Sequence, residues 1–218
     1  MAGRPLIAPY EHVIWDWNGT LLNDVLLCVE IANQLLANHN DVRLDQAAYR
    51  EVFGFPITAY YHRIGIDLEK EPFDELTKKF FATYDQAVLD CQLHLGVPQL
   101  LGHFQNSNKQ QYILTAAFKE SVLELLQHFD IHHFFAEIEG LDNHRAESKV
   151  DRGRLLIRNR AIRANQAVLI GDTLHDFEVA EAIGVDCILV ANGHQSQRRL
   201  ENGVGDKARV VGRIEELA

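Results

Sequence analysis

At residues 13–22, the stretch VIWDWNGTLL, an apolar run leads into Asp16, followed by Asn18, Gly19 and Thr20. An aspartate ending a buried strand, beside a glycine that lets backbone approach closely and a hydroxyl, suits covalent attack by a carboxylate on phosphorus. A strand that simply ends in Asp and turns would look the same. Three other places have comparable chemistry. Thr115 closes the run QYILT and precedes the small residues Ala116 and Ala117, so a hydroxyl and open backbone N–H groups there can hold phosphoryl oxygens. Lys149 follows the acidic-polar loop EGLDNHRAES and starts a helical pattern; an ammonium near an aspartate would stabilise an oxyanionic transition state. Lys119, in TAAFKE, is a rival for that part. In VLIGDTLHD, Gly171 and Asp172 end a buried run and Asp176 follows. Carboxylates at this spacing converge as the chain turns into a helix, and hard oxygen ligands suit Mg²⁺. Both acids would also serve as caps of that helix.

These residues need strand ends to carry them. Segments at 12–16, 111–115, 134–138, 167–171 and 186–190 are rich in β-branched or aromatic residues and separated by helical patterns, which predicts βα units around a parallel sheet. Open sheets of that kind bind ligands beyond their strand ends. The gap between the first two segments is far longer than the others, and it reads as helical. Val25, Val29, Ala32 and Leu36 form one stripe, with Asn23 or Asp24 available as a cap. A second pattern over 71–93 opens with Pro72 and repeats Phe73, Leu76, Phe80, Tyr84, Ala87 and Cys91. Between them VFGFPITAYYHRIGID breaks into short helices and turns. The expected fold is α/β: a Rossmann-like parallel sheet core of 1–22 and 95–218 with an inserted α-helical cap of 23–94. RVVGRIEELA predicts a short strand and a terminal helix.

With 218 residues, 47% of them hydrophobic, the chain can bury a substantial core. A net charge of −10 argues against nucleic acid as a partner, because that affinity depends on dense Lys and Arg, while leaving room for a small anion held by a local cation. Cys28, Cys91 and Cys187 lack CxxC spacing and sit among apolar residues, as expected in a reducing compartment. No apolar window approaches the roughly 18 residues of a membrane span, and the first residues lack a signal-like apolar core. The expectation is a cytoplasmic protein without a membrane partner; no feature of the sequence sets an oligomeric state.

In this order the four motifs resemble the haloacid dehalogenase-like superfamily, whose pattern is DxDGT, a strand-end Ser/Thr, a Lys and GDxxxD. The helical insertion after the first motif is similar to the family's first type of cap, and VFGFP and NGHQSQRRL are similar to phosphoglycolate-phosphatase-like members. The resemblance implies a phosphohydrolase acting on a small phosphorylated metabolite. It implies Asp16 as nucleophile, Thr115 as phosphate donor, Lys149 as charge stabiliser, and Gly19, Thr20 and Ala116 around the phosphate. Mg²⁺ would be held by Asp16, the backbone carbonyl of Asn18, and Asp172, with Asp176 as ligand or orienter of a metal-bound water. Arg63 is the candidate for a second anionic group of the substrate.

Asn18 departs from this pattern. Phosphatases of the family have there an Asp that protonates the leaving oxygen and then activates water, and a positioned acid or base typically contributes about 10²–10⁴-fold. Three readings follow: a specialised phosphohydrolase drawing an acid from His175, His62 or the substrate; phosphonatase-like or other chemistry on the same scaffold, which would need a cap lysine such as Lys70, Lys78 or Lys79; or a phosphometabolite-binding protein with impaired turnover.

Overall fold

A computed structural model describes residues 6–142 and 148–218 of the chain. Residues 1–5 and residues 143–147 of the acidic-polar loop lie outside it. Six strands form one parallel sheet in the order β5-β4-β1-β6-β7-β8: β1 His12–Trp15, β4 Gln110–Phe118, β5 Glu137–Leu141, β6 Ala167–Gly171, β7 Asp186–Val190 and β8 Arg209–Val211. β1 sits at the centre, with His12 opposite Gln110 on one side and Ala167 on the other. The core is α/β and Rossmann-like, as expected.

Strand periodicity explains why this sheet is buried on both faces. Val13 and Trp15 join Ile113, Val168 and Ile170 in one apolar cluster, whereas Ile14 joins Tyr112, Leu114 and Leu169 in the other. Alternate residues point to opposite faces, so near-continuous apolar runs serve two cores at once. The crossover helices α5 Val97–Asn106, α6 Lys119–His128, α7 Val150–Asn159, α8 Leu174–Ile183 and α9 Gln197–Val204 accompany these strands.

Between β1 and β4 lie α1 Val25–Leu36, α2 Gln46–Val52, α3 Ile57–Ile64 and α4 Phe73–Ala87. The chain enters and leaves this segment through an antiparallel ribbon, β2 Leu22–Asn23 against β3 Gln92–Leu93. The sequence reading had no counterpart for this ribbon, since two residues per strand are too few to show a period. α4 is also shorter than its apolar pattern: a 3-10 turn at Val88–Asp90 ends it before Cys91.

Three other expectations shift. The strand sought at 134–138 lies at Glu137–Leu141, because His132–Phe134 forms a 3-10 turn whose Phe134 packs on the core. β4 runs on past Thr115 to Phe118, with a shift of register against β5 after Leu114. After β8 a 3-10 turn, Ile214–Leu217, stands where the terminal helix was expected. Among the described residues no helix is long and apolar enough to cross a membrane.

Candidate active site

Asp16 follows the last residue of β1, and its backbone N–H donates to Ile170 O at 2.8 Å, which ties it to β6. Lys149, at the start of α7, is 1% exposed despite its charge. Its Nζ lies 2.5 Å from Asp16 Oδ1, 2.6 Å from Asp176 Oδ1 and 2.9 Å from Leu114 O. Three acceptors satisfy its three donors, which is what permits the burial. The rival Lys119 lies against Gly140, its charge felt by Glu139.

Asp172 and Asp176 come from the turn between β6 and α8. Thr173, not Asp172, is the N-cap; its backbone N–H and hydroxyl donate to Asp176 Oδ2 at 3.0 and 2.7 Å. Asp176 therefore caps the helix with one oxygen and meets Lys149 with the other. Asp172 accepts from Thr20 Oγ1 at 3.0 Å and from the His194 backbone N–H at 2.5 Å. Side chains are excluded where backbone crosses these acids: a Cβ on Gly19, at φ +72°, or on Gly193 would collide with the Asp172 carboxylate.

Asp16, Asp172 and Asp176 each offer an oxygen within 4.8 Å of the others. Three buried carboxylates face one lysine, so the cluster carries excess negative charge. Burial pushes Asp16 up to about 8, against Lys149 and with the other two acids. Asp172 is pushed up to about 6 by burial, against His194 and with Asp176. Burial works on Asp176 too, but Lys149 and Thr173 outweigh it and hold that carboxyl below the usual range. All-oxygen donors with unbalanced charge fit a hard divalent cation such as Mg²⁺.

Asn18 belongs to a second cluster. Its Nδ2 donates to Asp24 Oδ2 and to Tyr84 Oη, each at 2.7 Å. Asp24 also accepts from Tyr84 Oη at 2.8 Å and from the Gly19 N–H at 3.0 Å, and His194 Nε2 lies 3.2 Å from its Oδ1. On the far side of the ring, His194 Nδ1 meets Tyr49 Oη at 3.0 Å. Burial opposes the charge on Asp24, but His194, Asn18 and Tyr84 outweigh it and draw the carboxyl down to about 2. Burial likewise opposes charge on His194, and Asp24 outweighs it, raising the imidazole to about 9. Cys28 completes a potential ligand trio with Asp24 and His194. The Asp24 oxygens are already taken by hydrogen bonds, so this is a filled polar hub, not an open metal site.

Sequence reasoning missed Asp24, His194, Tyr84 and Tyr49. It offered Asn23 or Asp24 as a cap of α1, and Asp24 does stand at the N-cap, but it makes no side-chain cap bond, its oxygens being used in the hub. A faint signal existed for His194, which follows a glycine just after the apolar run at 186–190, like the other strand-end residues.

A cavity of about 170 Å³ opens above Asp16, lined also by Thr115, Ala116, Lys149, Asp172 and Asp176. Thr115 is buried and its Oγ1 accepts from the Ala117 N–H at 3.1 Å. Gly19 and Thr20 lie behind the cavity, bonded to Asp24 and Asp172, and do not line it. Arg63 is exposed near the end of α3 and does not line it either. His175 does, stacked on Phe55 with centroids 4.6 Å apart, whereas His62 is exposed. Lys70, Lys78 and Lys79 are outside the lining and bonded to Asn38 O, Glu75 and Glu71.

The sequence profile of the haloacid dehalogenase-like hydrolases matches residues 13–190. A 5'-nucleotidase of Pseudomonas aeruginosa is 26% identical over 198 residues, covering 88% of this chain and 87% of its own length. A phosphoglycolate phosphatase of Mesorhizobium japonicum is 25% identical over 189 residues, covering 84% and 83%. Among solved structures, a hydrolase of the haloacid dehalogenase-like family from Streptococcus pneumoniae superposes with a TM-score of 0.78 over 96% of this chain and 97% of that one, at 22% identity.

Proposed function

This chain belongs to the haloacid dehalogenase-like hydrolase family, and from that premise we propose that it is a Mg²⁺-dependent phosphohydrolase of small phosphorylated metabolites, with Asp16 as the nucleophile. The observation that carries the reading is the buried Lys149 ammonium held between Asp16 and Asp176 at a row of strand ends. The names of the nucleotidase and phosphoglycolate phosphatase relatives support phosphate monoesters as the substrate class.

In this mechanism a carboxylate oxygen of Asp16 attacks phosphorus, the ester P–O bond breaks, and its electron pair leaves on the alcohol oxygen, which takes a proton from water and leaves hydroxide to solvent. Water then attacks the aspartyl-phosphate, returning Asp16 and releasing phosphate. Lys149 neutralises carboxylate and phosphoryl charge, while Thr115 and the backbone at Ala116 donate to phosphoryl oxygens. Asp16, Asp172, Asp176 and the Asn18 carbonyl would hold Mg²⁺. When bound, the cation supplies the positive charge that offsets the three carboxylates beside the phosphate. Residues 23–94 would act as a cap excluding water, and the three free cysteines support a reducing, cytoplasmic setting.

Asn18 has no proton to give, and its amide is committed to Asp24 and Tyr84. That commitment favours slow turnover of poor leaving groups. The phosphonatase-like alternative lacks support, since no lysine other than Lys149 lines the cavity among the described residues. The test is Mg²⁺-dependent phosphate release by purified protein: it should vanish in Asp16→Asn, and release that persists would overturn the assignment.

A further inference from the structure

The cavity changes character from floor to wall. Its floor holds the carboxylates, Lys149 and Thr115. Its walls are rings, chiefly Phe53, Phe55, Tyr60, Phe73, Phe80 and Tyr84 from the inserted helical segment. At about 170 Å³, floor included, it is on the scale of the roughly 150 Å³ apolar cavity that takes up benzene, so the rings of its walls match a flat apolar group rather than an extended chain.

Charge narrows the occupant further. Among the described lining residues Lys149 is the one Lys or Arg, and it is held by Asp16 and Asp176 at 2.5 and 2.6 Å. His194 is engaged by Asp24. A carboxylate or second phosphate on the leaving group would lie against aromatic walls with no lysine or arginine to pair it, and an unpaired buried charge is strongly disfavoured. Hydrogen-bonding capacity is provided for: Tyr60 Oη and His175 Nε2 are buried, in the lining, and without hydrogen-bond partners. Such orphaned groups find a partner when a neutral polar edge arrives.

We propose that the preferred substrate is the phosphate monoester of a neutral, ring-bearing alcohol, with its ring among Phe53, Phe55 and Phe80 and a polar edge near Tyr60 and His175. Esters with an anionic leaving group, such as phosphoglycolate, are poor substrates. The position of the phosphate rests on the phosphohydrolase reading, so binding and reaction are measured separately.

Binding is read by calorimetry in Mg²⁺ with two phosphonates that cannot be hydrolysed. Benzylphosphonate should bind at least tenfold more tightly than phosphonoacetate. Equal affinities, the reverse order, or binding of neither overturns the proposal. Phe80→Ala and the milder Phe55→Leu should each shrink that ratio; a ratio unchanged in both, with circular dichroism intact, also overturns it. Reaction is read as phosphate release from benzyl phosphate, 2-phosphoglycolate and adenosine 5'-monophosphate. Preference for either ring-bearing ester supports the proposal and identifies the ring as aryl or nucleoside. Release that depends on Asp16 but favours 2-phosphoglycolate overturns the proposal alone. Release that is absent or independent of Asp16, while benzylphosphonate keeps its advantage, overturns the phosphohydrolase reading alone.

Discussion

Two buried polar clusters lie side by side, joined at Gly19 and His194, and they are balanced differently. Around Asp16, three carboxylates share one lysine, and burial pushes Asp16 and Asp172 upward. Around Asp24, one carboxylate meets one imidazole and three further donors, and both ionised forms are favoured. The first cluster is left with charge that a cation and a phosphate can use. The second is satisfied within the protein and holds Asn18 and Gly19 in place. The proposed reactive cluster and the supporting one thus differ in charge balance, although the carboxylates of both are buried.

The largest expected effect comes from removing the proposed nucleophile. Asp16→Asn should lower phosphate release by at least about a thousandfold, while raising the melting temperature of the metal-free protein by relieving like charge. Activity assay and thermal unfolding check the two halves. Next, Lys149→Met leaves buried carboxylates without a cation and should cost about 3–5 kcal/mol in urea unfolding. Lys119→Met should stay within about 0.5 kcal/mol.

The balanced cluster predicts a pH dependence of stability. His194 is raised above its unfolded value, so its contribution is complete below about pH 6.5 and lost as pH rises through about 9. Counted once for the pair, this is on the order of 3 kcal/mol. Urea unfolding of metal-free protein between pH 6 and 10 should show that decline in the parent chain and a smaller one in His194→Gln. Asn18→Asp sharpens the comparison further. It exchanges a donor for a carboxylate against Asp24, so the single variant should lose stability with little gain in turnover, whereas Asn18→Asp with Asp24→Asn should gain turnover relative to the single. The smallest effect is expected from Arg63→Ala, with KM changed less than about twofold, since exposed positions away from a site rarely contribute.

Legibility in the sequence followed the range of the signal. The apolar runs before Asp16, Thr115 and Asp172 announced strands through composition alone, and spacing alone suggested that something helical interrupts the sheet. The shift of the third strand escaped notice because Phe134 and Phe135 suit a strand as well as a packed turn. Asp24 escaped because an acid before a helix reads locally as a cap, and its real partners Tyr84 and His194 are distant in sequence.

The residues themselves determined the parallel sheet, the strand-end acids and the absence of an acid at position 18, because strand periodicity and residue chemistry are local properties. Only the tertiary structure decided that Lys149, not Lys119, reaches Asp16, that Arg63 stays outside the cavity, and that Asn18 answers to a carboxylate brought from the start of α1. Those outcomes depend on which side chains meet after the sheet closes and the helical segment docks, and burial then sets the charge each of them carries.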